Sequence, residues 1–430
     1  MKVVWICGFS NSEVRKHLRI RKNPLEPLAL KIIHRNPDHA SDAGVWISNG
    51  IDVVRDRNDI ELHIITPCRD LVGKKQEFKI DGIHYHFLRD ENSGLASKVI
   101  RFLFTRNSAQ FKKNRREIYN CIERIQPDIV HVIGAENPFY SLALLDIPKS
   151  IPTILQLQAL LASLEGKVKG DLAVNFAYKG DLEKSLIRRA DYIGTTVQSF
   201  IDFIRANIKP DARIINTSLA MAQKIDLSEG KKEYTFVHYA SGLSTTKASD
   251  VALKAFISAH KVHPEITLDV IGAYSGDFKA ELDAMIEENK MEDAVKFEGR
   301  LPTHDDVIRQ IRKARFALLP LKTDIVPNTL REAMANGLPL LTTVTPGTPS
   351  LNDKRESALI SPVGDTDALS RNMIRLLEDP ALGETLRQNA ALTEEERASN
   401  AAIIGHWLEV YQAILKNRQE GTAIPSEWLL

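Results

Sequence analysis

Two carboxylates stand on either side of Pro327-Asn328-Thr329 in the segment Asp324-Ile-Val-Pro-Asn-Thr-Leu-Arg-Glu332-Ala-Met-Ala-Asn-Gly-Leu-Pro339. A short apolar run, Phe316–Pro320, precedes it, and helix-forming residues begin near Asn328. A helix opening there presents free amide groups and the positive end of its dipole, which favour an anion. Asp324 in the loop and Glu332 one turn into the helix could bracket a phosphate-bearing ligand. The carboxylates would accept from its hydroxyls while the amides hold its phosphates. The same pair also reads as a loop acid and a first-turn acid that complements the macrodipole, and physics alone does not separate the two.

Other segments repeat the theme of a loop after an apolar run. Ser241-Gly-Leu-Ser-Thr-Thr-Lys247 follows Thr235–Tyr239 and ends on a cation, which by itself is only a loop lysine. Pro127-Asp-Ile-Val-His131-Val-Ile-Gly-Ala-Glu136 and Pro152-Thr-Ile-Leu-Gln-Leu-Gln158 end their apolar runs on a carboxylate and an amide. Gln158 can exchange hydrogen bonds with a hydroxyl but cannot serve as a general acid. His131 falls inside its run and reads as a core histidine. Gly8, after Val3–Cys7, leaves room for backbone to approach a ligand. Asp365-Thr-Asp367 has the shape of a metal-binding pair, yet it follows Gly364 and opens a helix, so capping is the better account. Gly8-Phe-Ser10-Asn-Ser12 lacks the final glycine of a nucleophile elbow. There is no P-loop, zinc-ligand spacing or GxGxxG, so no metal site, ATP site or nicotinamide site is expected.

These loops need a scaffold. Short Val- and Ile-rich runs alternate with longer amphipathic stretches throughout, the pattern of parallel sheets covered by helices. Strands are expected at Val3–Cys7, Glu61–Thr66, Asp128–Ile133, Thr153–Leu157, Tyr192–Thr196 and Arg213–Thr217. Phe78–Ile80 and His84–Leu88 flank Asp81-Gly82, a pair suited to a tight hairpin. A long helix is expected over Leu95–Gln126, closed by Pro127. After the polar segment Gln223–Lys232, read as a linker, strands follow at Thr235–Tyr239, Ile266–Ile271, Val295–Glu298, Phe316–Pro320, Pro339–Thr343 and Ala358–Ile360. Beyond Gly364 the chain reads as helical, with Trp407, Val410, Tyr411 and Ile414 on one face. The length, 430 residues, suits two domains of about 200 residues each. We therefore expect two doubly wound α/β domains, residues 1–220 and 225–399, with ligands beyond the carboxyl ends of the strands.

Composition sets further bounds. The chain has 43% hydrophobic and 26% charged residues and a net charge of +1. Its apolar runs fall far short of the ~20 residues that cross a bilayer. The amino-terminal run reads as a buried strand and not as a signal peptide. Cys7, Cys68 and Cys121 show no CxxC spacing and suit core thiols in a reducing, cytoplasmic setting. Residues 1–215 carry 33 Lys and Arg against 25 Asp and Glu, the remainder 24 against 31. A basic half meets an anionic surface or simply bears solvated helices. Arg101, Arg106, Lys112, Lys113, Arg115 and Arg116 share the expected helix with Phe102, Phe104 and Phe111. Such a helix can lie on the inner face of an anionic membrane, or its apolar side can pack inward. No feature points to nucleic acid.

The Asp324–Pro339 segment resembles the donor-binding motif of the retaining nucleotide-sugar glycosyltransferases of family 4, which have the two-domain GT-B fold. That motif runs Glu, seven residues, Glu-Ala-Met-Ala, variable, Gly, variable, Pro. Glu332, Ala333, Met334, Ala335, Gly337 and Pro339 match it, while Asp324 replaces the first Glu with a chain one methylene shorter. Ser241–Lys247 is similar to the family loop Gly-Arg-Leu-Ser, two residues, Lys-Gly, with Gly242 where the Arg belongs. The two strands ending at Glu136 and Gln158 look like the family's cleft-lining strands, in the pattern of bacterial surface-polysaccharide transferases.

The resemblance implies two Rossmann-like domains facing a cleft, with C-terminal helices (about 400–430) crossing back to the first. It implies a cytoplasmic hexosyltransferase-type enzyme that transfers a sugar from a UDP- or GDP-sugar, with retention and without a metal or other cofactor. The acceptor would be a saccharide or lipid-linked saccharide in surface polysaccharide synthesis. By the same resemblance Glu332 binds the ribose and Asp324 the sugar hydroxyls, and amides around Pro327 to Thr329 lie near the sugar and diphosphate. Lys247 binds the diphosphate, Gly8 and Gln158 border the donor, and Glu136 lies on the acceptor side. The cation missing at Gly242 would come from Arg300 or Lys322. The departures at 242 and 324 lend weight to a non-catalytic scaffold as the rival; a nucleotide-sugar epimerase is a second, against which the Glu-Ala-Met-Ala run argues.

Overall fold

The computed structural model describes residues 1–21, 42–69, 71–91, 110–165, 171–228, 230–274, 276–322, 327–345 and 347–430. The chain divides into two compact units. The first contains Met1–Lys22, Ala43–Ala220 and Ser399–Leu430, and the second contains Met221–Ala398. No helix among the described residues is long and apolar enough to cross a membrane.

The first unit is built on β1 (Lys2–Ile6), β2 (Glu61–Cys68), β3 (Lys75–Ile80), β4 (Ile83–Arg89), β5 (Ile129–Ile133), β6 (Thr153–Gln156), β7 (Tyr192–Gly194) and β8 (Ile214–Ile215). They form one sheet in the order β3-β4-β2-β1-β5-β6-β7-β8. Only β3 runs antiparallel, against β4. The central strands are apolar on both faces, as parallel strands sandwiched by helices must be. β3 is longer than its apolar residues suggest, because Lys75–Glu77 extend an edge strand that alternates between solvent and sheet. Asp81 (φ 47°) and Gly82 (φ 81°) supply the two left-handed residues that a tight hairpin needs.

Helices α1 (Val45–Val54), α2 (Lys112–Ile125) and α3 (Asp171–Arg189) belong to this unit. The single helix expected over Leu95–Gln126 is not continuous. Phe111 has φ 46° and immediately precedes α2, and its ring is buried. Arg101 and Arg106 lie outside the described residues. In α2, Ile118, Cys121, Ile122 and Ile125 turn inward while Lys112, Lys113 and Arg116 face solvent. This part of the basic stretch therefore packs into its unit.

The second unit carries β9 (Tyr234–Gly242), β10 (Leu268–Ala273), β11 (Val295–Gly299), β12 (Ala314–Leu318), β13 (Leu340–Thr343) and β14 (Ala358–Ser361). Their order is β11-β10-β9-β12-β13-β14, all parallel. Between them run α4 (Ser249–His260), α5 (His304–Ile311), α6 (Asn328–Ala335) and α7 (Thr366–Glu378). The segment expected as a linker is fixed to this unit: Asp226 accepts from Arg312 at 2.6 Å and Gln223 donates to Asn328 at 3.0 Å. Asp365 caps α7, its Oδ1 accepting from the Ala368 amide at 2.8 Å. The Asp-Thr-Asp shape thus has a structural explanation.

Helix α8 (Asn400–Glu420) returns to the first unit. Ile403, Ile404, Trp407, Val410, Tyr411 and Ile414 join the cluster that holds Trp5, Ile64 and Ile129. The Tyr411 hydroxyl lies 2.6 Å from His131 Nδ1 and accepts from Trp5 Nε1 at 3.1 Å. Complete burial lowers the His131 pKa to about 3, so the ring is a neutral core group.

Candidate functional site

In a doubly wound sheet, ligands gather at the carboxyl ends of the strands where the strand order reverses. In the second unit that point lies between β9 and β12. The β9 side presents Gly242 and the loop to Lys247, whose amide donates to Ser244 Oγ at 3.2 Å. His238 pins this loop. Its Nδ1 donates to the Leu318 carbonyl on β12 at 2.9 Å, so Nε2 accepts from Ser249 Oγ at 2.9 Å at the start of α4. Burial lowers the His238 pKa to about 4, in keeping with that neutral tautomer.

The β12 side leads to Lys322 and then to Pro327 and α6. Lys322 Nζ lies 3.1 Å from Asp250 Oδ2 in the first turn of α4, so a cation spans the reversal point. Arg300 follows Gly299 at the end of β11, two strands away from β9 in the sheet. Of the two cations expected to replace the missing Arg, only Lys322 stands at the reversal. Gly242 itself has no steric need to be glycine: an added Cβ would meet only the Ala273 carbonyl, at 3.9 Å.

Helix α6 starts at Asn328 with no side chain capping it. Tyr239 on β9 donates to the Thr329 carbonyl at 2.6 Å and so fixes this end of the helix to the sheet. Glu332 is only 4% exposed, and Asn328 Nδ2 donates to its Oε1. His304 Nε2, at the start of α5, is 3.5 Å from the same oxygen. Loss of hydration raises the Glu332 pKa to about 7, with the Asn328 bond opposing the shift. Asn328 and Glu332 therefore come together, with Thr329 on the same first turn. Asp324 lies outside the described residues. His304 was not anticipated, and its sequence signal was the Thr303/Asp306 capping box that places it first in α5.

In the first unit the order reverses between β1 and β5. Gly8 follows β1, and the space its Cβ would take is bordered by Tyr140 Cε1 at 3.2 Å. Its glycine thus has a packing reason. Glu136 follows β5 and Gln158 follows β6. With the Gln158 amide oriented to satisfy both neighbours, Nε2 donates to Glu136 Oε1 at 3.2 Å and Oε1 accepts from Trp46 Nε1 at 3.1 Å. Asn137 Nδ2 donates to Glu136 Oε1 at 2.7 Å. Glu136 Oε2 is buried with no hydrogen-bond partner, and burial raises the carboxyl pKa to about 7.

Helix α3 adds Lys179 and Glu183, four residues apart on one face. Burial lowers the Lys179 pKa, with the Glu136 charge opposing, and raises that of Glu183 to about 7. Glu183 Oε2 accepts from the Ala162 amide at 2.8 Å. Nothing in the sequence linked these residues to Glu136. The available hint was Gly180 between them, where a Cβ would press on Ala162 at 3.2 Å. Glu136 and Gln158 are thus one hydrogen-bonded group, supported by Trp46, Asn137 and the α3 pair.

Residues 222–393, which contain Lys247, Asn328 and Glu332, match the model of the family described as Glycosyl transferases group 1. The match lies within the second unit and covers less than half of the chain. N-acetyl-alpha-D-glucosaminyl L-malate synthase from Bacillus anthracis is 22% identical over 246 residues, 55% of this chain and 63% of that protein. The amylovoran biosynthesis glycosyltransferase AmsK from Erwinia amylovora is 34% identical over 112 residues, 25% of this chain and 27% of AmsK. The chain thus spans less than two thirds of the curated relatives it matches. Among solved structures, a sucrose-phosphate synthase from Thermosynechococcus elongatus superposes with a TM-score of 0.71 at 14% identity. That alignment covers 96% of this chain and 99% of the synthase. The fold of the two units is GT-B, and the residues similar to the group 1 family lie in the second.

Proposed function

We propose that this chain is a retaining glycosyltransferase that moves a sugar from a UDP- or GDP-sugar to a saccharide or lipid-linked saccharide, in bacterial surface polysaccharide synthesis. The observation that carries the reading is the buried Glu332 at the uncapped start of α6, beside the β9/β12 reversal point. A carboxylate there accepts from the ribose hydroxyls, and the first-turn amides and Lys247 take the diphosphate. The chemistry then requires stabilising an oxocarbenium-like sugar and a departing diphosphate, with no metal ion. The leaving phosphate takes the acceptor proton. Lys322 supplies the charge that an Arg at 242 would otherwise bring. Glu136 and Gln158 face the acceptor hydroxyls. Similarity to AmsK supports a polysaccharide acceptor.

Calorimetric titration with UDP and GDP, followed by donor hydrolysis across a panel of nucleotide sugars, tests the proposal. Glu332→Ala should weaken the better nucleotide by ~1.5–3 kcal/mol, the scale of a charged hydrogen bond lost from a closed site. Gly242 favours a second reading, a scaffold without chemistry, which predicts no heat with either nucleotide.

A further inference from the structure

Titratable groups that sugar transfer does not use collect at the amino ends of β2 and β4, whereas Glu136 and Gln158 follow the carboxyl ends of β5 and β6. Glu61 and His63 are two apart on β2, and His84 and His86 are two apart on β4. The register sets His63 beside His84. Residues two apart share a face of a strand, so all four project together. The His63 ring lies 4.5 Å from that of His84 and 5.2 Å from that of His86.

A chain of contacts runs through them. Glu61 Oε1 is 3.0 Å from His63 Nε2, His63 Nδ1 is 3.0 Å from His86 Nε2, and His86 Nδ1 is 3.0 Å from Glu77 Oε1. Each of these gaps joins two atoms that are both acceptors unless a proton stands between them. Two neutral imidazoles supply two protons for three gaps. One gap therefore needs an additional positive species, a third proton or a cation. A third proton would make one of two buried, stacked rings an imidazolium, which burial disfavours, or would leave Glu61 or Glu77 as a neutral acid.

The two ends of the chain differ. Glu77 is already held by Arg124 and by Lys75 at 3.3 Å, and the neighbouring Cys121 thiol is raised to about 11 by burial. At the other end Glu61 is exposed, and His84 Nε2 lies 4.0 Å from Glu61 Oε1. The donor atoms of Glu61, His63 and His84 all lie within 4.8 Å of one another. Ligands about 2.0–2.2 Å from a tetrahedral ion are separated by about 3.3–3.5 Å, which small rotations of Glu61 and His84 achieve.

We propose that Glu61, His63 and His84 bind a divalent first-row transition-metal ion, zinc foremost, with water as the fourth ligand. The ion takes the place of the third proton. His63 then donates through Nδ1 to His86, and His86 donates to Glu77, an outer shell that fixes the tautomer of the ligand. Two imidazoles and a carboxylate suit zinc, and the cation clamps β2 to β4. This site is separate from the donor site and stabilises the first unit.

Metal-free full-length protein is titrated with zinc against a chromophoric chelator, and with cobalt(II) followed by its visible absorption. The expected result is about one ion per chain, the intense cobalt bands of a four-coordinate site, and a higher melting temperature with zinc. Glu61→Gln and His84→Gln, at solvent-accessible positions that tolerate replacement, should each weaken zinc at least about tenfold. Absence of uptake overturns the proposal, as does uptake that neither variant weakens. A doubly protonated His63 or His86 near neutral pH, seen by nitrogen NMR and unchanged by zinc, would assign the third gap to a proton and also overturn it.

Discussion

The hydroxyl of Tyr411 reaches His131 at 2.6 Å across a sequence separation of 280 residues, and it also accepts from Trp5. One oxygen thus serves two buried groups that have no access to water. Tyr411→Phe should destabilise the first unit by ~1–3 kcal/mol, because both partners are left unsatisfied. Urea unfolding followed by tryptophan fluorescence measures this, since Trp5 and Trp407 sit beside the lost hydroxyl. An unchanged midpoint would mean the network carries no net stability.

Glu332 links nucleotide binding to pH. Loss of hydration raises its carboxyl to about 7, and on the proposed reading ribose hydroxyls donate to the ionised form. Binding then lowers that pKa and releases a proton, so affinity rises with pH through 7 and levels off above it. Below 7 the slope approaches tenfold per unit, about 1.4 kcal/mol. The measurement uses a nucleotide sugar, whose diester phosphates do not titrate in this range. Glu332→Gln should flatten the profile; a flat wild-type profile would place the hydroxyls elsewhere.

Gly242 marks an open position beside the expected diphosphate. Gly242→Arg should leave stability within about 0.5 kcal/mol, given the space for a Cβ. It should tighten UDP by roughly tenfold or more, the scale of a charged hydrogen bond. If a folded variant binds UDP no better, the diphosphate does not lie beside the end of β9.

Glu136 keeps a buried carboxylate oxygen without a partner. Its folded pKa of about 7 is above the usual value. Its contribution to stability is therefore fullest in acid and is lost as pH rises through 7. Glu136→Gln should raise unfolding stability above pH 7 by roughly 1–2 kcal/mol, seen as a higher melting temperature, and should not do so well below it. The variant should also lose transfer while retaining nucleotide affinity. Equal stability across pH would show that the carboxylate is solvated.

On the proposed reading Lys247 and the α6 amides take the role of a metal on the diphosphate, so turnover should survive excess EDTA. If EDTA abolished activity and manganese restored it, a cation would have to bridge the donor phosphates. A lower melting temperature in EDTA with activity intact would instead report on the Glu61–His63–His84 site.

The strands of both sheets were legible because parallel strands buried on both faces must be short and apolar. β3 was only half legible, since edge residues such as Lys75 and Glu77 answer to solvent as much as to the sheet. The break before α2 was invisible, because a left-handed Phe111 is held by its burial and not by local preference. Glu332, Asn328 and Lys247 stood out through a family resemblance carried within single loops, where spacing alone left their roles open. Trp46, Lys179 and Glu183 could not, since tertiary folding alone carries them to Glu136 and Gln158. His238 reads locally as a strand residue; its role becomes visible only when β12 and Ser249 close around it.

The position of α8 sets an order on biosynthesis. Most of the sheet of the first unit leaves the ribosome early, yet Trp5 and His131 lack their partners until residues 407–411 emerge. The second unit is made in between and has its own complete core. Translation therefore delivers a finished second unit before the first can close, and a nascent chain stalled short of α8 exposes apolar sheet to chaperones.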